Sequence, residues 1–304
     1  MKPPSSKGSH IERTAAEPRD TSLHTVTVSQ VEEVNESIRL FRLGICEGSS
    51  IQFLPGQWLD IFVPGVLKPG GFTITSPPSM ATLPSSAYLE LAVQDSPSNP
   101  PAAWLWGNPV DGNDAGHTHN SENEPVQLRI RVGGSFVWPP QSIDLAPLRR
   151  VVFVAGGVGI NPLMSILGHL AERGGSRYDV QFLYSTKTTA EGLDSGKILF
   201  LERLAAIYGR KKVQGQLKLF LTHVQRILGA SETVLPCNEV EIPFKRRRIT
   251  LEDIAEALGP KEEHTSAVVY VCGVPTMTDE FIGKLTSPDG LGLRREQVLC
   301  EKWW

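Results

Sequence analysis

Cysteine is scarce in this 304-residue sequence, and its scarcity excludes two classes of metalloprotein at once. The four cysteines, Cys46, Cys237, Cys272 and Cys300, lie far apart and none forms a CxxC pair. Neither a zinc ribbon nor a plant-type iron–sulfur cluster therefore has a ligand set. So few thiols suit a reducing compartment, and no secretory apolar segment opens the sequence. The expected location is the cytoplasm, with the mitochondrion as the alternative if the natural N-terminus is longer. Long hydrophobic runs are missing too: none approaches the about 20 residues of a membrane helix, so no membrane insertion is expected. Charge of one sign is also lacking. The 30 basic and 33 acidic residues leave a net charge of -3, which offers nucleic acid no overall attraction. The basic run Lys245-Arg246-Arg247-Arg248 reads as a solvated face. His117 and His119 stand two apart in a polar insertion with no further ligands, so no metal site is expected.

Two different periods divide what remains. The segment Met1–His24 is polar and rich in Ser, Pro and charge, too poor in apolar surface to offset ordering, and reads as a disordered arm. From Thr25 to Val132 the period is two, within a first domain expected over residues 25–147. Tyr88–Gln94 alternates Leu89, Leu91 and Val93 with polar or small residues, and Val126–Val132 does the same with Leu128 and Ile130. Val26–Val34, Ser37–Ile45, Gln57–Val63 and Gly71–Thr75 are weaker strands, separated by Gly and Pro turns. Six short strands of this kind predict a small antiparallel barrel, with the polar stretch Gly107–Glu124 as a surface loop. Beyond a boundary near Asp144–Leu148 the texture changes. Val151–Ala155, Val180–Tyr184, Leu217–Leu221 and Val268–Cys272 are continuous apolar runs, as in strands buried on both faces. Helical patterns at Pro162–Arg173, Leu199–Tyr208, Leu251–Leu258 and Met277–Leu285 alternate with them. This second domain, residues 148–304, is expected to be a parallel sheet covered by helices.

The strongest local signal is VVFVAGGVGINPLMSIL, residues 151–167. A buried strand enters Gly156, Gly157, Val158 and Gly159, and a helix follows through Ile160. Glycine permits positive φ and lets main chain approach a ligand. Asn161 is expected to cap that helix and Pro162 to open it. Free amides at the helix start, with its positive dipole end, make a seat for a pyrophosphate. Two features depart from the Rossmann fingerprint: Pro162 stands where the third glycine would, and Ser185-Thr186-Lys187 replaces the acid that grips a ribose. The second constellation is VYVCGVPTMTDEF, residues 269–281. Cys272 ends a buried strand, Gly273 and Pro275 shape a turn, and Thr276 or Thr278 is the expected cap of the next helix. A cysteine there either faces a reactive ring or is a small inert core residue.

On these motifs the chain resembles the ferredoxin–NADP reductase superfamily, and most of all its branch of oxidoreductase NAD-binding-domain-containing proteins. AGGVGINPL (155–163), YVCGVPTMTD (270–279), PGQWLDIFVPG (55–65), GGFTITSPP (70–78) and the ending EKWW (301–304) carry the resemblance, which spans residues 25–304. It implies a six-stranded antiparallel Greek-key barrel that binds FAD or FMN, followed by a parallel-sheet domain that binds NAD(H) or NADP(H). Gly156–Pro162 would hold the nucleotide pyrophosphate, and Cys272, Gly273 and Pro275 would lie beside the nicotinamide. Phe72 would pack on the isoalloxazine and Thr73 would hydrogen-bond its N5. Trp303 or Trp304 would stack on the flavin, with Glu301 in a hydrogen-bond chain; a plain aromatic tail is the other reading. The family's flavin motif opens on an arginine where this chain has Gly70, and its phosphate-binding serine is Ala102, after Asn99-Pro100-Pro101.

Thr73, Cys272 and Glu301 are the expected catalytic residues. The implied activity is an NAD(P)H-dependent flavoprotein reductase, passing hydride from nicotinamide to flavin and electrons onward to a separate protein, a quinone, free flavin or oxygen. The alternative is a nucleotide-binding accessory subunit with a degenerate flavin site and no turnover of its own. Lys187 and Arg226 are candidates to touch a 2′-phosphate.

Overall fold

The structure is a computed structural model, and it describes residues 8–108, 125–172, 177–188, 193–222, 233–238 and 240–302. Most of the polar insertion, with His117, His119, Arg226, Trp303 and Trp304, lies outside the described residues. The chain forms two compact units that divide between Val137 and Trp138, ahead of the Asp144–Leu148 boundary expected from texture.

In the first unit, β1 (His24–Asn35), β2 (Ile38–Ile45), β3 (Trp58–Phe62), β4 (Gly70–Thr73), β5 (Tyr88–Gln94) and β6 (Gln127–Gly133) make one antiparallel sheet. Its order is β4-β3-β6-β1-β2-β5. Leu128, Ile130 and Val132 of β6 all point into the core, as their alternation requires. β5 departs from the one-wet-face expectation, because Glu90 and Ala92 are buried as well. The cause is the chain just past β4: Ile74 bridges Leu91, and the Thr75 amide donates to the Glu90 carbonyl at 2.8 Å. The Thr75 hydroxyl then donates to the Glu90 carboxylate at 2.9 Å.

The disordered arm expected up to His24 is corrected for residues 8–24. A short helix, α1 (His10–Arg13), and the segment after it strap across β3. Asp60 explains the order. It is fully buried at the centre of β3, and a buried carboxylate requires partners. His10 Nε2 donates to one oxygen at 3.0 Å, while Arg19 Nε and Arg131 Nε donate to the other at 3.1 and 2.9 Å. Arg19 also lies over the Trp58 ring, 4.9 Å from its centre. Two of the three partners thus come from a segment whose composition alone promised no order.

In the second unit, β7 (Arg150–Gly156), β8 (Asp179–Lys187), β9 (Gln214–Thr222), β10 (Val234–Cys237), β11 (Val240–Lys245), β12 (Ala267–Cys272) and β13 (Val298–Glu301) form a sheet ordered β10-β11-β9-β8-β7-β12-β13. All neighbours are parallel except β10, which pairs antiparallel with β11. The helices that accompany it are α3 (Ile160–Glu172), α4 (Leu201–Gly209), α5 (Leu251–Leu258) and α6 (Pro275–Thr286). One further helix, α2 (Pro100–Gly107), belongs to the first unit. The strands β10, β11 and β13 were not foreseen: β11 carries Pro243 and charge, and β13 is only four residues long.

Candidate nucleotide-binding site

Strand order locates the site. From β7 the chain adds β8, β9 and β11 on one side of the sheet, then returns to place β12 and β13 on the other. The reversal lies between β7 and β12, and a crevice opens at the carboxyl ends of strands at such a point. Cys272 pairs in register with Ala155 on β7 and with Glu301 on β13, so the two motifs end side by side.

The two turns interlock through their glycines. A Cβ added to Gly159 would fall 2.6 Å from the Gly273 amide nitrogen and closer still to the Cys272 carbonyl. A Cβ on Gly273 would come within 3.2 Å of the Gly156 backbone, and one on Gly156 would lie 2.9 Å from Met277 Sδ. Gly157 differs. It has φ +55°, and a side chain there would meet nothing within 4 Å. Gly156, Gly159 and Gly273 are therefore required by close packing between the two turns and Gly157 by its positive φ, and the side-chain direction at Gly157 opens to free space.

The cap expectations need correction. A 3-10 turn at Gly157–Gly159 runs into α3, which starts at Ile160, so Asn161 and Pro162 are already inside the helix. Both are buried there. The glycines, rather than an Asn cap, shape the entry. At the second turn Val274 is the residue preceding α6 and Pro275 is its first residue, so neither Thr276 nor Thr278 caps it. Thr278 instead lies fully buried on the inner face of α6 with Phe281 and Leu285. Cys272 is fully buried as well, and its carbonyl, which faces Gly159, is its contribution to the crevice. Glu301 is nearly buried at the end of β13. On the other flank Ser185 pairs with Gly156, and Lys187 ends β8 in an exposed position. Burial pushes the Tyr184 and Tyr270 hydroxyls up, which removes both as bases near neutral pH. Among the described residues no group of His, Cys, Asp and Glu is arranged to hold a metal. None of the described helices is long and apolar enough to cross a membrane.

No family model matches the chain. It is 34% identical over 304 residues to Oxidoreductase NAD-binding domain-containing protein 1 of Xenopus tropicalis, covering 97% of this chain and 84% of that one. The Homo sapiens protein of that name is 31% identical over 307 residues, covering 98% and 85%. The chain belongs to this family. Among solved structures, the ferredoxin reductase in carbazole 1,9a-dioxygenase superposes with a TM-score of 0.62 at 17% identity, over 93% of this chain and 70% of that one. The CS-b5R domains of human Ncb5or in the NAD+ form give 0.62 at 16% identity, over 92% and 70%. The fold is thus that of the ferredoxin-reductase-like FAD/NAD-binding proteins, as the motifs implied.

This member of the oxidoreductase NAD-binding family departs from a flavin-holding pattern in its first unit. Phe72 is buried in the core of that unit. Its ring edge, with Pro101, fills the space beside Gly70: a Cβ there would fall 2.6 Å from the Phe72 ring and 2.8 Å from Pro101. No arginine fits at position 70 while those groups stay in place. Thr73 is also buried, and Ala102 offers no hydroxyl. In the second unit the glycines at the head of α3 are bare of side chains, the feature that a dinucleotide pyrophosphate requires. The residues at Gly70 and Ala102 do not fit an anchored flavin phosphate.

Proposed function

We propose that the chain binds a reduced pyridine nucleotide at the reversal point between β7 and β12 and serves in NAD(P)H-linked electron transfer to a separate acceptor. The observation that carries this reading is the interlock of Gly156 and Gly159 with Cys272 and Gly273, beside the open position at Gly157. Gly156, Gly157, Val158, Gly159, Ile160, Asn161 and Pro162 would form the pyrophosphate seat, helped by the positive end of the 13-residue helix α3. Cys272, Gly273 and Pro275 would border the nicotinamide by main-chain shape, because the Cys272 thiol is buried. Glu301, beside Cys272 in register, would hold a proton or a hydrogen bond at that rim, next to Trp303 and Trp304 in sequence. The nucleotide, once bound, supplies hydride from its nicotinamide ring. The residues of the chain orient that ring and keep water away; the redox chemistry is the nucleotide's own. Phe72 and Thr73 would meet a flavin only by its ring.

Calorimetric titration with NADH and NADPH tests the reading. Binding on the order of 1 μM to 1 mM supports it, and no heat with either nucleotide ends it. A second reading, a nucleotide-binding accessory subunit without turnover, is favoured by Gly70 and Ala102 in place of flavin-anchoring side chains. NADH oxidation with ferricyanide as acceptor separates the two: turnover supports the reductase, and binding without turnover supports the accessory subunit.

A further inference from the structure

A flavin phosphate is held by cationic side chains or by free amides at a helix start, and each charge-assisted contact is worth about tenfold or more in affinity. In the first unit α2 is the only described α-helix longer than α1's four residues, the other helical piece being a five-residue 3-10 turn at Pro78–Thr82, so among the described residues α2 is the one helix long enough to offer a dipole to an anion. Its start keeps a single free donor. The four amides that a helix leaves unbonded are those of the residue before it and its first three residues. Here the Asn99 amide donates back to the Ser96 carbonyl at 2.9 Å. The first two helical residues are Pro100 and Pro101, which have no N–H at all. The fourth helical residue, Ala103, already donates its amide to the Asn99 carbonyl at 2.9 Å, closing the first turn. One donor is left, on Ala102, a residue buried in the core.

Side chains do not replace the lost amides. Gly70, at the edge facing Pro101, has none, and Phe72 and Pro101 occupy the room that one would need. Arg39 of β2 touches this helix at its opposite end: it donates to the Trp106 carbonyl at 3.1 Å and stacks over the Trp106 ring.

We infer that this chain does not grip flavin by its phosphate, so flavin is not retained as a resident group and riboflavin, FMN and FAD are equivalent to it. A flavin that works with this protein comes and goes from solution, recognised by its ring if at all. The inference concerns the first unit alone and does not depend on the nucleotide crevice of the second.

The test uses the full chain, purified, passed through gel filtration, and then titrated separately with riboflavin, FMN and FAD by fluorescence quenching. The expected result is a colourless protein whose three affinities agree within about tenfold, or which binds none of the three. Stoichiometric flavin surviving gel filtration, or FMN or FAD binding more than about tenfold tighter than riboflavin, overturns the inference. NADH titrated into the same sample reads the second unit independently, so a failure there is not mistaken for a failure here.

Discussion

Gly159 faces the carbonyl of Cys272 so closely that an added Cβ would overlap it, and that approach ties the end of β12 to the mouth of α3. Main chain meets main chain, so neither partner can swing aside as a flexible side chain would. The crevice at the strand reversal is thereby built from two turns with no adjustable part between these residues.

Substitutions in the first turn should therefore separate packing from backbone strain. Gly159→Ala places a methyl on the Cys272 carbonyl and is expected to cost about 1–3 kcal/mol and to abolish NADH binding. Gly157→Ala meets no neighbour but keeps a left-handed φ of +55°, so it should cost only about 1–2 kcal/mol. Urea denaturation and calorimetry on both variants check this. Equal losses of stability and binding in the two would contradict the packing account.

The Asp60 cluster predicts how the first unit responds to acid. Burial pushes the Asp60 carboxyl up, but hydrogen bonds from His10 and Arg131 and the charge of Arg19 outweigh it and hold the group below its usual range. A carboxyl depressed on folding adds stability above its unfolded pKa, and that stability is lost as pH falls toward the folded value. Unfolding free energy should thus decline on acidification below the ordinary carboxylate range. Asp60→Asn should cost about 3 kcal/mol at neutral pH, flatten that decline and release residues 8–20 to proteolysis. An unchanged pH profile in the variant would count against the cluster.

An arginine at position 70, the residue of the flavin-binding pattern, should harm the protein. Gly70→Arg forces the Phe72 ring and Pro101 apart, at a cost of about 1–3 kcal/mol. Gly107, at the far end of α2, has no neighbour within 4 Å of an added Cβ. Gly107→Ala should be neutral or stabilising by about 0.4–1 kcal/mol. Thermal melts of the two variants should move in opposite directions, and a stable Gly70→Arg protein would show that Phe72 yields easily.

Thiol reactivity should follow exposure. Cys46 is exposed, Cys300 half-buried, and Cys237 and Cys272 buried. Burial also pushes the Cys237 and Cys300 thiols up, which lowers their thiolate fraction. Brief alkylation of the folded chain, read by peptide mass spectrometry, should label Cys46 first and leave Cys272 intact. Early loss of Cys272 would show that its side chain opens into the crevice.

Local pattern alone was enough for much of this protein. The period-two runs at Leu89–Val93 and Leu128–Val132 marked an antiparallel unit, and the apolar runs at Val151–Ala155 and Val268–Cys272 marked parallel strands, because side-chain spacing along a strand is set by its nearest neighbours. The glycines at 156, 157 and 159 announced a turn for the same reason. What the spacing did not contain were contacts made at a distance. That Gly159 meets Cys272 depends on β12 pairing with β7. That the polar segment from His10 to Arg19 is ordered depends on a carboxylate buried on β3, far along the chain. That Phe72 turns inward under Pro101 depends on where α2 lies against β4. Composition measures how much apolar surface a segment can bury, but a buried charge or a bare α-carbon acquires its partner only when the whole sheet is assembled.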